Sequence, residues 1–156
     1  MDSVLGTVYQ EAMKVSENFS LVEFIPQSVW NQFHESGLWF IDPRLITSVQ
    51  WLRKMLKVPL VINNWHSGGT FQNRGFRPKS SPVWKEFSQH SFGRALDLSS
   101  PDMPHKDVYK WVLDNQDLIL ANTSFTTVED IQAAPTWLHL DLRSRPDAKE
   151  LLIVKP

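Results

Sequence analysis

The chain has 156 residues, 42% of them apolar and 21% charged, which is typical of one globular domain, so we expect a single domain over residues 1–156. A formal net charge of −1 offers no general field for attracting a nucleic acid or an anionic membrane. The absence of cysteine excludes disulfides and thiolate ligands, so any metal must be held by nitrogen and oxygen.

The N-terminal part of the chain predicts short helical segments. Residues 2–16 are expected to form a short helix. Ser20 and Glu23 have the spacing of a capping box, which predicts a brief helical turn after Ser20. A further helix is expected over residues 28–35, and Gly37 is expected to close it in a left-handed conformation.

The clearest helix signal is Asp42 followed by Pro43, an N-cap with proline at the first helical position. Apolar residues at helical spacing extend this helix to about residue 57. Residues 59–63 then predict a short buried strand. Residues 65–87 are rich in Gly, Ser, Pro, Arg and Asn without a period, and long loops of this kind are often functional.

The second half of the chain predicts a small sheet. Residues 94–99 indicate a strand and residues 104–120 a helix. Two further strands, 124–130 and 136–143, are joined by so few residues that they are expected to form an antiparallel hairpin. These elements predict an α+β fold in which helices pack on a small, mostly antiparallel sheet.

Strand periodicity predicts a polar site on one face of this sheet. His139 and Asp141 share one face of the second hairpin strand, while the leucines beside them face the core. If strand 94–99 is the neighbouring strand, Asp97 meets His139, and a turn at Gly93 brings in His90.

Two imidazoles and one carboxylate, those of His90, Asp97 and His139, are a common ligand set for catalytic zinc. Such an ion lowers the pKa of water towards about 7 and polarises a carbonyl, so that an amide can be attacked at neutral pH. Zn²⁺ is therefore a candidate cofactor. The alternative for a histidine near an aspartate is a surface hydrogen bond.

The motif residues resemble a known family. Residues 88–97, SQHSFGRALD, match the SxHxxGxAxD signature of the D-alanyl-D-alanine carboxypeptidase family of zinc peptidases. Residues 136–143 resemble the later strand that supplies the last zinc-binding histidine of that family. Looser likeness at 18–24 and 60–67 extends the resemblance over about residues 18–145.

The resemblance implies an α+β fold shared with the hedgehog signalling domain, with Zn²⁺ held by His90, Asp97 and His139. It also implies cleavage of a peptide bond in bacterial peptidoglycan by a carboxypeptidase or endopeptidase. Many relatives are phage lysins or wall-editing enzymes. Because the N-terminus does not resemble a signal peptide, we expect synthesis in the bacterial cytoplasm and action at the cell wall, as a lysin or virion component. The expected partners are a peptidoglycan peptide and other virion proteins, without nucleic acid or membrane insertion.

The resemblance leaves the catalytic base open. Family members commonly carry a glutamate three residues before the last zinc histidine or a histidine two residues before it, and this chain has Thr136 and Trp137 there. Three substitutes are considered, in the order Glu129, Asp141 and His66. Without a working base, the chain is instead a catalytically weak or inactive zinc-binding module, such as a virion component.

Substrate binding is also open, since His66 occupies the position where relatives carry an arginine that grips a peptide carboxylate. Arg74 or Arg77 is predicted to replace that arginine, and the alternative is that both are solvated loop charges. Ser88 is expected to hydrogen-bond a loop backbone group or the substrate. The remaining histidines, His34 and His105, are interpreted as surface or capping residues.

Overall fold

A computed structural model describes residues 13–156, so most of the helix predicted over 2–16 lies outside the described residues. The described residues form an α+β fold with four α-helices and a four-stranded sheet. The helices are α1 (Gln27–Phe33), α2 (Pro43–Leu56), α3 (His105–Asp114) and α4 (Gln116–Asn122), and the strands are β1 (Ala95–Leu98), β2 (Thr127–Glu129), β3 (Leu138–Asp141) and β4 (Leu152–Val154).

Two of the predicted helix starts are confirmed. The backbone N–H of Ser20 donates to Glu23 Oε2 at 2.7 Å, and the capping box opens a 3₁₀ turn over Leu21–Glu23. Asp42 caps α2 by accepting from the backbone N–H of Arg44 at 2.9 Å. Helix α2 ends before Lys57, as predicted, and buries one apolar face, Leu45, Ile46, Val49, Leu52 and Leu56.

The predicted closure at Gly37 is wrong. Helix α1 ends at Phe33, and His34 takes the positive φ of 48°. The chain then continues as a 3₁₀ helix over His34–Phe40 that contains Gly37. The glycine serves close packing instead, because a Cβ there would lie 2.9 Å from Ile25 Cδ1.

Two other predicted elements are shorter than expected. The strand over 59–63 is reduced to a single bridge between Val61 and Ser99, because the backbone of Asn63 turns away to donate to Glu23 O. The helix over 104–120 is divided at Asn115. The Asn115 side chain donates to Trp111 O at 2.8 Å and satisfies a carbonyl at the end of α3.

The sheet has the strand order β1-β3-β2-β4 and is mixed, not mostly antiparallel as predicted. Strand β3 pairs antiparallel with β1 and with β2, which confirms the predicted hairpin. Strand β4, for which no element is predicted, pairs parallel with β2. Residues 142–151 carry the chain from the end of β3 across β2 to the far edge of the sheet, where β4 pairs with β2.

The sheet separates core from site. One face contributes a row of buried side chains to the hydrophobic core, Leu96, Leu98, Val128, Leu138 and Leu140. Helix α2 contributes to the same core cluster, and α3 lies against β3. The opposite face carries polar side chains at alternate positions. Between residues 13 and 156, no helix has the length and apolar character needed to cross a membrane.

Candidate metal centre

Strand register brings the first two predicted ligands together. Asp97 on β1 lies directly opposite His139 on β3 in the antiparallel pair. Directly paired residues point to the same face of a sheet, with Cβ atoms about 5 Å apart. The Asp97 and His139 side chains therefore meet on the face opposite the leucines.

A short 3₁₀ helix over Gln89–Phe92 supplies the third ligand, His90. Ser88 caps this helix, since its hydroxyl accepts from the backbone N–H of His90 at 3.3 Å. Gly93 ends it in the left-handed region, with φ of 67°. A Cβ at Gly93 would lie 1.8 Å from the carbonyl oxygen of Phe40, so only glycine fits this turn.

The three side chains converge on one point, which confirms the predicted cluster as groups close enough to bind a metal ion. Asp97 Oδ1 lies 2.9 Å from His139 Nδ1 and 3.3 Å from His90 Nε2, and the two nitrogens are 3.2 Å apart. A tetrahedral ion with bonds of about 2.0–2.1 Å separates its ligand atoms by about 3.3 Å. The spacing therefore fits a small divalent ion, and all three residues are buried.

The outer hydrogen bonds of the histidines determine which ring nitrogens remain free. His90 Nδ1 donates to the carbonyl oxygen of Gly75 at 2.8 Å, and His139 Nε2 donates to Asp141 Oδ2 at 3.0 Å. These bonds leave lone pairs on His90 Nε2 and His139 Nδ1, both directed at Asp97 Oδ1. Three acceptors facing one another repel unless a proton or a cation lies between them, so the centre is suited to hold either one.

Burial and charge shift the pKa values of the ligands. Burial disfavours ionised Asp97, yet the hydrogen bond from His139, together with the nearby His90 ring, holds its pKa well below the usual range. Burial lowers the pKa of His90, which keeps that ring neutral near pH 7. Burial also opposes the charged form of His139, but its bonds to Asp141 and Asp97 outweigh burial and raise its pKa to about 9. Without a metal, a proton on His139 therefore occupies the centre.

Asp141, considered above as a base, contacts Nε2 of His139, the ring nitrogen that does not face Asp97. Besides accepting from His139, its carboxylate accepts from Arg143 Nε at 2.9 Å and from Arg143 Nη2 at 2.6 Å. Burial raises the pKa of Asp141, but hydrogen bonds from His139 and Arg143 prevail and bring it to about 2. Asp141 is fully buried and does not line the cavity in front of the centre. Its position fits orientation of the His139 ring.

A cavity of about 600 Å³ opens in front of the three ligands, and Glu129 and Trp137 are among its lining residues. Continuing the β2–β3 register by one residue places Glu129 beside His139, on the side opposite Asp97. Burial raises the pKa of Glu129 above the usual value. Glu129 is thus a partly buried carboxyl group that faces the same cavity as the ligands.

His66, the third base considered, lies away from this cavity. It sits in a 3₁₀ turn over Trp65–Ser67, where its ring packs edge-on against the Trp65 indole with centroids 5.7 Å apart. The residue is buried and is absent from the cavity lining. The structure therefore does not bring His66 to the ligands.

The loop arginines occupy different positions. Arg77 Nη2 donates to Asp97 Oδ2 at 3.0 Å, so this guanidinium is engaged with a ligand. Arg74 stacks on Phe71 at 3.6 Å and donates to Ser99 Oγ at 2.9 Å. Arg74 lines a second cavity of about 550 Å³, which shares Asp97 with the first. Neither arginine is a freely solvated loop charge.

Several residues of the site are not predicted from the sequence. The Gly75 carbonyl is the partner of the ligand His90, and Lys85 and Phe87 line the cavity. A backbone carbonyl leaves no signal in a sequence because every residue has one. The other histidines lie elsewhere: His34 is exposed, and His105 is the first residue of α3.

Comparison of the chain with protein-family models, curated proteins and solved structures gives no match. The resemblance to D-alanyl-D-alanine carboxypeptidases therefore stays a prediction from motif residues.

Proposed function

We propose that the protein is a zinc-dependent peptidase that cleaves a peptide bond in bacterial peptidoglycan, as a carboxypeptidase or endopeptidase. The observation that carries the proposal is the convergence of three side chains with metal-ligand atoms, His90, Asp97 and His139, at the wall of an open cavity. The match of residues 88–97 to a zinc-peptidase signature supplies the substrate class.

The three ligands are nitrogen and oxygen donors of the kind that catalytic zinc sites use. When bound, a divalent ion supplies Lewis acidity, which polarises a peptide carbonyl and makes water acidic enough to be a nucleophile near neutral pH. The ligands are buried at the wall of the cavity, so a peptide in the cavity reaches the centre from one side.

Glu129 is the catalytic base in this proposal. Its carboxylate takes a proton from the attacking water and returns that proton to the departing amine nitrogen. Its support is its place beside His139 in the cavity and the direction of its pKa shift, since burial raises the pKa of Glu129 and so favours proton uptake. Asp141 and His66 lack this support because neither lines the cavity.

Arg74 is the proposed partner of a peptide carboxylate, since it lines the second cavity and that cavity continues to Asp97. Ser88 lines the main cavity, but its hydroxyl already caps the turn that holds His90. We place the action at the cell wall, as a phage lysin or virion component with other virion proteins as partners, on the family resemblance alone.

A second candidate is a zinc-binding module without turnover, for example a structural virion component. The observation that favours it is the presence of Thr136 and Trp137 where relatives commonly place the base. In this case the ion joins the turn at residues 89–92 to strands β1 and β3 and acts as a structural link.

The deciding experiment incubates zinc-loaded protein with purified peptidoglycan and measures newly released amino groups. The peptidase releases them, chelation stops the release, and re-added zinc restores it. The variant His90→Ala loses both zinc and release, whereas His34→Asn, at an exposed histidine, keeps both. Release that persists after metal removal contradicts the peptidase, and co-sedimentation with peptidoglycan without release supports the module.

A further inference from the structure

Arg77 is held at three points around the metal centre. Its Nε donates to the carbonyl oxygen of Asn73 at 2.7 Å, and its Nη2 donates to Asp97 Oδ2 at 3.0 Å. Its backbone N–H donates to the carbonyl oxygen of His90 at 3.1 Å. One residue of the loop therefore contacts the segments that carry two of the three ligands.

The residues next to Arg77 contact the same two ligands. The Gly75 carbonyl accepts from His90 Nδ1, and the Arg74 carbonyl accepts from the backbone N–H of Asp97 at 2.7 Å. Residues 74–77 thus lie as a strap across the outer side of the ligands. The strap is itself tied to the core, since the Phe76 backbone N–H donates to Phe24 O at 2.8 Å.

The contact between Arg77 and Asp97 gives the two oxygens of the Asp97 carboxylate different partners. Oδ2 accepts from Arg77, and Oδ1 faces the two histidines. The Arg77 side chain is only 18% exposed, and its fixed contacts turn the guanidinium towards Asp97. A planar guanidinium suits this task because it can donate to two acceptors in fixed directions.

We propose that Arg77 is a positioning residue of the metal centre, which holds Asp97 so that a single oxygen binds the ion, and is not the clamp for a substrate carboxylate. The inference rests on the metal centre of the proposed function. A carboxylate limited to one oxygen favours the low coordination number of tetrahedral zinc over the larger oxygen-rich shells of calcium. Arg77 thereby contributes to the choice of metal as well as to its affinity.

The test compares the zinc affinities of three variants by competition with a chromophoric chelator. Arg77→Met is expected to weaken zinc binding by about 10- to 100-fold, the usual effect of removing an outer partner of a ligand. Arg77→Lys recovers part of the loss, because an ammonium keeps the charge but cannot reach Asn73 and Asp97 together. Lys79→Met, which removes an exposed charge from the same loop, leaves zinc affinity unchanged.

A second measurement uses the visible absorption of the cobalt-loaded protein. Tetrahedral Co²⁺ absorbs strongly, and the band weakens when further ligands bind. Arg77→Met frees Asp97 Oδ2, so a weaker band is expected, with the Lys79→Met spectrum like that of the unmodified protein. Circular dichroism confirms that each variant is folded, and Arg77→Lys serves if Arg77→Met does not fold.

The outcomes separate this inference from the proposed function. If Arg77→Met binds zinc as tightly as the unmodified protein and only raises KM, Arg77 is a substrate clamp and the inference is overturned. Equal losses of affinity in Arg77→Met and Lys79→Met also overturn it. If the unmodified protein binds no zinc, the metal centre itself fails, whatever Arg77 does.

Discussion

The ligands of the metal centre are held in place by neighbouring groups that are not ligands themselves. Each has an outer hydrogen-bond partner at 2.8 to 3.0 Å: the Gly75 carbonyl for His90, the Asp141 carboxylate for His139 and the Arg77 guanidinium for Asp97. These partners set ring orientation and tautomer before an ion arrives, so little side-chain freedom is lost on binding. The carboxylate of Glu129 is not one of these partners, so it is available to act as the catalytic base.

Replacing Glu129 with glutamine tests whether its carboxylate is the catalytic base. Glu129→Gln keeps the size of the side chain but removes the group that accepts a proton. We expect hydrolysis of peptidoglycan to fall by on the order of 10²–10⁴-fold, with zinc content measured by atomic absorption unchanged. Glu35→Gln, at an exposed carboxylate that does not line the cavity, is the control and keeps full activity. Full activity in Glu129→Gln would remove Glu129 as the base.

The turn over residues 89–92 shows how a short element can carry a ligand. It has little stability of its own, and Ser88 caps one end while Gly93 closes the other. Gly93 also brings the turn against the main body, because its carbonyl oxygen accepts from the backbone N–H of Asp42 at 3.0 Å. The position of His90 thus depends on the close approach of two backbone segments.

Gly93→Ala is expected to disrupt this approach. Two glycines with positive φ make a matched pair, since a Cβ at Gly93 meets Phe40 O at 1.8 Å whereas a Cβ at Gly68 meets nothing within 4 Å. Gly68→Ala therefore carries only the left-handed strain of about 1–2 kcal/mol. Gly93→Ala adds a backbone clash and is expected to cost more and to lose zinc, as measured by denaturant unfolding and metal content. Equal unfolding free energies for the two variants would contradict this account.

The two faces of the sheet have different roles. Leucines and a valine on one face join the core, and the metal centre occupies the other.

Near the start of the described chain, Glu23 makes two contacts that stabilise the fold. It takes part in the capping box, and its carbonyl oxygen accepts from the backbone N–H of Asn63. Burial raises the pKa of Glu23 from 4.5 to about 7.

The raised pKa of Glu23 predicts how stability changes with pH. Between pH 4.5 and 7 the unfolded chain loses this proton while the folded protein keeps it, so Glu23 makes the free energy of unfolding fall as pH rises. The shift corresponds to roughly 3 kcal/mol at most. Glu23→Gln keeps an acceptor for Ser20 but cannot ionise. It is therefore expected to be more stable than the unmodified protein at pH 8 and similar to it at pH 4.

Urea unfolding at each pH measures the difference between Glu23→Gln and the unmodified protein, which cancels the titration of the other groups. Glu86→Gln, at an exposed carboxylate, is the control and is expected to show no pH-dependent difference of this size. A constant difference between pH 4 and pH 8 for Glu23→Gln would show that folding does not raise the pKa of Glu23.

Local patterns in the chain are sufficient for helix α2 and for the faces of β3. Asp42, Pro43 and the apolar spacing act within a few residues of one another, and so does the alternation that separates His139 from the leucines. The spacing between His90 and Asp97 also indicates the ligand set, because the turn at Gly93 is a local feature. These features depend on neighbours along the chain, so periodicity and turn chemistry reveal them.

Other features depend on which distant segments come together, and no local pattern encodes that choice. The parallel pairing of β4 with β2 and the contact of the Gly75 carbonyl with His90 follow from how distant segments are brought together. Arg77 is the clearest case: its sequence context fits a substrate clamp or a solvated charge, yet the folded loop places it on Asp97, twenty residues away. A charged side chain takes its role from its partner, and folding alone determines that partner.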